Sequence, residues 1–198
     1  KDGNIKITRN EGPNRLGHTI LYDTLVEMAT NDIVMIYHAD MYACPDMDKE
    51  VLKLLEPGKV VSATRIEPPL HPDGPEKVLV DFGIEPEEFK ENELFKWLED
   101  DKINGEDKFT KGIFAPWAIY KKDFQDIGGH DPLYAPQSKE DSDIFNRFVL
   151  AGYDLVQTWQ GFVYHMTCRG SRFKDGALRN PAGQVFMKGR ESSEWLAQ

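Results

Sequence analysis

The sequence predicts an α/β protein with a mostly parallel sheet flanked by helices. Three observations carry this. Ile33 to Tyr37 is a continuous apolar run, the mark of a strand covered on both faces. Strand-like and helical patterns alternate from Ile5 to Ile66 in the order strand, helix, strand, helix, strand. The length, 198 residues at 40% hydrophobic and 29% charged, suits one ordinary domain with a real core.

The elements follow in order. Ile5-Lys6-Ile7 reads as a short strand, and the loop Asn10 to Gly17 follows it. From Asn14 to Ala29 the pattern is helical, with Ile20, Leu21, Leu25, Met28 and Ala29 at helical spacing. The apolar strand then stops at His38-Ala39-Asp40. Pro45 opens a second helix, with Asp46 and Asp48 in its first turn, Val51, Leu52, Leu54 and Leu55 as its apolar side, and Gly58 to close it. Val60 to Ile66 is another strand. Residues 67–110 read as an insertion or lid-bearing segment: a loop with Pro68, Pro69, Pro72 and Pro75, then an acidic helix from Pro86 to Asp100 that packs through Phe89, Leu94, Phe95, Trp97 and Leu98.

Ile113 to Tyr120 is strand-like, and Lys121 to Ile127 is a short helix closed by Gly128-Gly129. Ser138 begins a helix with a capping-box-like Ser138-x-x-Asp141, an apolar stripe of Ile144, Phe145, Phe148 and Val149, and Gly152 at its end. Leu155 to Trp159 and Phe162 to His165 are strand-like. Residues 166–198 are polar and basic and are expected to be flexible. No Gly/Ser-rich linker divides the chain, so residues 1–198 read as a single domain. The start at Lys1, without Met and directly before a strand, suggests a beginning other than the natural one.

Composition excludes several function classes. The apolar runs are too short for a membrane helix, and no secretory signal pattern is visible. With 34 acidic against 24 basic residues the formal net charge is −10, which argues against broad nucleic-acid or anionic-membrane binding. Cys44 and Cys168 are too few for a disulfide framework, which favours a reducing compartment. The expected location is cytoplasmic or peripheral to a membrane. Oligomeric state is not legible.

Asp40 follows a fully apolar strand and so lies at the carboxyl end of a parallel sheet, where open α/β sheets build ligand crevices; a turn or helix-capping role is the alternative. Asp141 shares a stripe with Ile144, Phe145 and Phe148 and is expected to point inward; completing the capping box is its alternative role. Glu140 serves either the site or the helix dipole, and Asp143 stands four residues before Arg147 as an ion pair. His165 ends the last strand, and His38 lies two residues before Asp40 on the same strand face. His38, Asp40 and His165 form a mixed nitrogen and oxygen donor set suited to Mn²⁺ or a similar ion, without zinc-type spacing. Gly12, Arg15 and Gly17 mark a turn or meet a phosphate, and no G-x-G-x-x-G or P-loop occurs.

Three blocks resemble family 2 glycosyltransferases of the A-type glycosyltransferase fold. The first is Asn10-x-Gly12 through Arg15-x-Gly17, a helix, and Ile33 to Met41 with Pro45, similar to the loop, helix and strand that end in an Asp-x-Asp motif. The second and more specific is Tyr120-Lys121-Lys122-x-Phe124-x-x-Ile127-Gly128-Gly129-x-Asp131, then Glu140-Asp141-x-Asp143-x-x-x-Arg147 and Ala151-Gly152-Tyr153. The third is His165, placed like a late metal-binding histidine. The resemblance spans Ile5 to Arg172.

The resemblance implies inverting transfer of a sugar from a nucleotide-diphosphate donor to a carbohydrate or other hydroxyl acceptor, with Mn²⁺ or Mg²⁺. Asp40, His165 and His38 would hold the metal, and Asp141, with Glu140 beside it, would take the acceptor proton. Asn10, Arg15, Gly17, Ala39, Arg169 and Arg172 would meet the donor, and Phe114 and Trp117 would stack on a sugar or acceptor. His38 stands where the motif has its first Asp. The chain also opens at about the third strand of such a fold, so an N-terminal strand, helix and strand are expected to be missing or truncated. A nucleotidyltransferase and a non-catalytic nucleotide- or sugar-binding module are the competing readings.

Overall fold

The structure is a computed structural model and describes residues 5–12, 16–69, 74–100, 108–109, 113–135 and 139–166. In chain order its elements are α1 (Gly17–Met28), β1 (Ile33–Ile36), β2 (Met41–Ala43), α2 (Met47–Leu54), β3 (Lys59–Glu67), β4 (Lys77–Leu79), α3 (Glu91–Asp100), β5 (Lys108–Phe109), β6 (Trp117–Tyr120), α4 (Lys121–Asp126), α5 (Glu140–Leu150) and β7 (Asp154–His165). Single 3-10 turns lie at Pro86–Glu88 and Pro132–Tyr134. The contacts divide the chain into two compact units. One contains Lys1–Val34 and Tyr120–Ala151, and the other Met35–Ile119 and Gly152–Gly170.

The first unit holds α1, α4 and α5. Gly17 opens α1 at a φ of 72°, a conformation that strains residues with a Cβ. The open carbonyls at the end of α1 are met by Lys121, whose Nζ donates to Glu27 O at 3.1 Å and Ala29 O at 2.9 Å. The α5 stripe of Ile144, Phe145 and Phe148 is buried as its spacing predicts, while Val149 is exposed. Arg147 donates to Asp143 Oδ2 at 2.8 Å, to Ile127 O at 3.0 Å and to Gly129 O at 2.7 Å, so one guanidinium ties α5 to the turn after α4.

Several expectations change in this unit. Ile5 to Ile7 forms no strand, and Ile5 and Ile7 are exposed, because no neighbouring strand among the described residues completes their hydrogen bonds. The buried side of α1 carries Thr19 and Val26, while Leu25 is exposed. The reason is a polar pair absent from the sequence reading. Asp23 accepts from the His130 backbone N–H at 3.0 Å and meets the His130 ring Nδ1 at 2.7 Å, which turns the 19-23-26 face inward. α5 begins at Glu140 after Lys139, whose φ is 68°, with no side-chain cap. Ser138, the expected cap, lies outside the described residues.

The second unit is built on a sheet ordered β1-β6-β3-β7-β2, with β4 on β3 and β5 on β7. The α/β class stands, and the sheet within it is mixed. β3 pairs in parallel with β7 and β4, and antiparallel with β6; β7 pairs antiparallel with β2 and β5. β1 and β3 were expected to be neighbours by sequence order, but β6 enters between them, with Val61 opposite Ala118. Burial explains the placement: Trp117, Ala118 and Ile119 are all 0% exposed, a strand apolar on both faces that needs a central position.

Further boundaries shift in this unit. A short strand, β2, forms where the sequence suggested only a turn before Pro45. The second helix begins at Met47 after Asp46, whose φ is 60°. The expected strand from Ile113 shrinks to Trp117–Tyr120. The two late strand-like stretches fuse into β7, with an irregularity in its pairing opposite Ser62 and Thr64.

The described part of residues 67–110 packs on this sheet. The expected helix from Pro86 to Asp100 divides into the 3-10 turn and α3, with Phe89 between them; Cys44, Ile66, Phe82, Leu94 and Tyr164 form a buried cluster that Phe89, Phe95, Trp97 and Leu98 join. The Tyr164 hydroxyl donates to Gly83 O at 2.6 Å and accepts from Phe82 N–H at 2.9 Å, fixing the segment that leads to α3. Burial also pushes the Cys44 thiol up to about 12, so it packs as a small apolar group.

Candidate metal centre and acidic helix turn

The second unit brings three predicted residues together through strand register. The turn after β1 is closed by Met41 N–H donating to His38 O at 3.3 Å, and the Tyr37 hydroxyl donates to Met41 O at 3.2 Å. β2 then pairs antiparallel with β7, with Met41 opposite His165, and Met166 N–H donates to Asp40 O at 3.0 Å. This register sets Asp40 beside His165, with Asp40 Oδ1 3.6 Å from His165 Nε2. Donor atoms of His38, Asp40 and His165 all lie within 4.8 Å of one another. Ligands about 2.1 Å from a shared ion stand at most about 4.2 Å apart, so sub-ångström shifts close this trio on one cation. Two imidazoles and a carboxylate suit Mn²⁺, and Mg²⁺ less well because it prefers oxygen.

The sequence reading missed Glu67, the last residue of β3. The parallel ladder sets Ile66 opposite Tyr164, so Glu67 and His165 end neighbouring strands together. Glu67 Oε1 lies 2.7 Å from His165 Nδ1 and 3.1 Å from Arg65 Nη1, and Oε2 accepts from Lys77 Nζ at 2.9 Å. The carboxylate is 0% exposed. Burial would raise its pKa, but the bonds and charges of His165, Arg65 and Lys77 outweigh burial and hold it at about 2. Glu67 is an acid directly after the strand-like Val60 to Ile66, but Ser62, Thr64 and Arg65 interrupt that run, so the apolar signal that marked Asp40 was weaker here.

The acidic pair lies in the first unit, in the first turn of α5. The expected inward residue was Asp141. The structure buries Glu140 instead, at 7% exposure, and leaves Asp141 half-buried. Both stand one turn before the buried stripe, at 144 and 145, so helical spacing alone does not separate them. Glu140 Oε1 lies 3.8 Å from Nδ1 of His18, which stacks on Tyr22 with ring centroids 5.3 Å apart. Asp143 pairs with Arg147 as its spacing predicts.

The remaining candidates fall in both units. Trp117 is fully buried in β6, so its indole offers no open face for stacking; Phe114 is 45% exposed, with the Arg65 guanidinium 4.3 Å from its ring centroid. Asn10 is exposed, and its Oδ1 accepts from Gly12 N–H at 3.0 Å, the bond of a local turn. Gly17 starts α1, and Ala39 is exposed between the two candidate ligands. Arg15, Arg169 and Arg172 lie outside the described residues. No helix among the described residues is long and apolar enough to cross a membrane.

No protein-family model matches the chain, and no curated protein matches it in sequence. Among solved structures it is similar to GalNAc-T7, an A-type-fold glycosyltransferase solved with UDP, GalNAc and Mn²⁺, at a TM-score of 0.62 and 14% identity. The match covers 93% of this chain and 36% of GalNAc-T7, so the chain spans about a third of that protein's length. At this identity the likeness shows the fold alone: the chain has a fold like that of A-type glycosyltransferases.

Proposed function

We propose that the chain is a metal-dependent glycosyltransferase, of family 2 by its sequence motifs, that moves a sugar from a nucleotide-diphosphate donor to an acceptor hydroxyl. The observation that carries this reading is the convergence of His38, Asp40 and His165 at the carboxyl ends of β1 and β7. A fold neighbour solved with UDP, GalNAc and Mn²⁺ supports the same donor class and metal. Mn²⁺ or Mg²⁺ at this trio would supply charge compensation for the diphosphate as it leaves.

The chain's own residues do the rest. His38, Asp40 and His165 orient the donor by holding its counterion. Asp141 accepts the proton of the acceptor hydroxyl, and a single displacement with base assistance inverts the anomeric centre. Glu140 shares that helix turn and is the alternative base. Phe114 offers an aromatic face to a sugar or acceptor.

The test is a panel of nucleotide sugars with Mn²⁺, read by release of nucleoside diphosphate and by NMR of the product anomer. Transfer with inversion from one donor is expected. Release of sugar 1-phosphate, the leaving group when a nucleotidyl group is transferred from a nucleotide sugar, would identify a nucleotidyltransferase. Nucleotide binding without turnover of any donor would identify a binding module, a reading favoured by His38 at the position of the first motif Asp.

A further inference from the structure

Glu67 is a charged group that the proposed reaction does not use directly. It is fully buried, so it reaches neither donor nor acceptor. Both of its oxygens are occupied: Oε1 faces His165 Nδ1 at 2.7 Å and Arg65 Nη1 at 3.1 Å, and Oε2 takes Lys77 Nζ at 2.9 Å. With cations on both oxygens, the carboxylate cannot rotate without breaking a charged contact. Arg65 is itself braced, since its guanidinium lies 4.3 Å from the Phe114 ring centroid. The strands reinforce the arrangement, because β3 and β7 run parallel and end together at Glu67 and His165.

We infer that Glu67 is the positioning residue of His165: it holds the proton on Nδ1 and turns Nε2, with its lone pair, toward Asp40 and His38. The inference rests on the metal reading above and deepens it. An imidazole accepts a metal through one nitrogen only when the other carries the proton, and a carboxylate on that second nitrogen selects the tautomer and the ring orientation. The ring orientation agrees with this selection, since Nδ1 faces Glu67 and Nε2 faces Asp40 Oδ1 at 3.6 Å. A glutamine at position 67 could turn its amide NH₂ toward Nδ1. That would favour the tautomer with hydrogen on Nε2, which blocks the metal-facing nitrogen.

The experiment titrates the 198-residue chain with Mn²⁺ and follows the free-ion EPR signal. It compares wild type, Asp40→Ala, Glu67→Gln and Lys77→Met, with thermal melting as a fold control. Wild type is expected to bind, Asp40→Ala to lose binding, and Glu67→Gln to bind about 10–100-fold more weakly. Lys77→Met removes the cation on Oε2 but leaves the Glu67 to His165 bond in place, so it is expected to melt earlier and to weaken Mn²⁺ binding less than Glu67→Gln does. Should Glu67→Gln fail to fold, ¹⁵N imidazole NMR of wild type at pH 8 reads the tautomer directly, with His165 assigned by comparison with His165→Gln. Hydrogen on Nδ1 is expected, and hydrogen on Nε2 overturns the inference. Mn²⁺ affinity in Glu67→Gln equal to wild type, with binding lost in Asp40→Ala, overturns this inference and leaves the metal reading standing. Absence of Mn²⁺ binding in wild type overturns both.

Discussion

The strand-end centre and the first turn of α5 both carry acidic residues, but they hold charge differently. At the strand ends, Glu67 is sealed from water and bound by Arg65, Lys77 and His165. In the α5 turn, Glu140 is buried with a half-exposed His18 at 3.8 Å, and Asp143 meets Arg147 with both side chains partly open to solvent. Backbone ladders impose the first arrangement, because register fixes which side chains end side by side. A helix terminus imposes the second, because its free N–H groups favour carboxylates without a cation opposite each one. The contrast teaches that strand register builds a carboxylate locked by several cations, whereas a helix turn carries its carboxylates with looser ionic partners.

Substitutions can break this contrast, beginning with the largest effect. Asp40→Ala is expected to abolish Mn²⁺ binding and lower transfer by about 10³-fold or more, since compensating transition-state charge is worth several kcal/mol. Isothermal titration with Mn²⁺ and a donor assay check this, and full turnover in the variant removes the metal centre from the reaction. Asp141→Asn is expected to lower kcat by about 10²–10⁴-fold while Mn²⁺ binding stays intact. If Glu140→Gln shows that loss and Asp141→Asn does not, the buried residue of the turn is the base.

Two stability measurements sharpen the same comparison. Lys77→Met removes one cation from a carboxylate that is 0% exposed and is expected to cost about 3 kcal/mol in urea unfolding. Asp143→Asn removes an i,i+4 partner with 18% side-chain exposure and is expected to cost about 0.3–0.5 kcal/mol. Equal costs for the two variants would mean that the cluster around Glu67 is no more tightly bound than a surface pair.

Parts of this site were legible because their causes are local. His38 and Asp40 are two residues apart after an apolar strand, and His165 ends another, so strand periodicity alone proposed the trio. The packing of Leu94, Trp97 and Leu98 followed from helical spacing in the same way. Glu67 was missed because its partner His165 stands 98 positions away, and nothing near Glu67 in the chain announces the pairing. Periodicity did not show that Glu140 is buried more deeply than Asp141, because both lie one turn before the buried stripe. Trp117 was a stacking candidate under the resemblance, and its full burial was not legible because its strand was not known to be central.

By itself, then, the sequence determined the α/β class, most helices and strands, and the residue types able to hold an ion, since propensity and periodicity are properties of short segments. Only the tertiary structure decided that β6 enters between β1 and β3, that β2 pairs with β7 to bring Asp40 to His165, and that Glu67 is locked beneath it. Those outcomes depend on strand register and on the cost of burying charge. Both are settled between segments distant in the chain, where no local pattern records them.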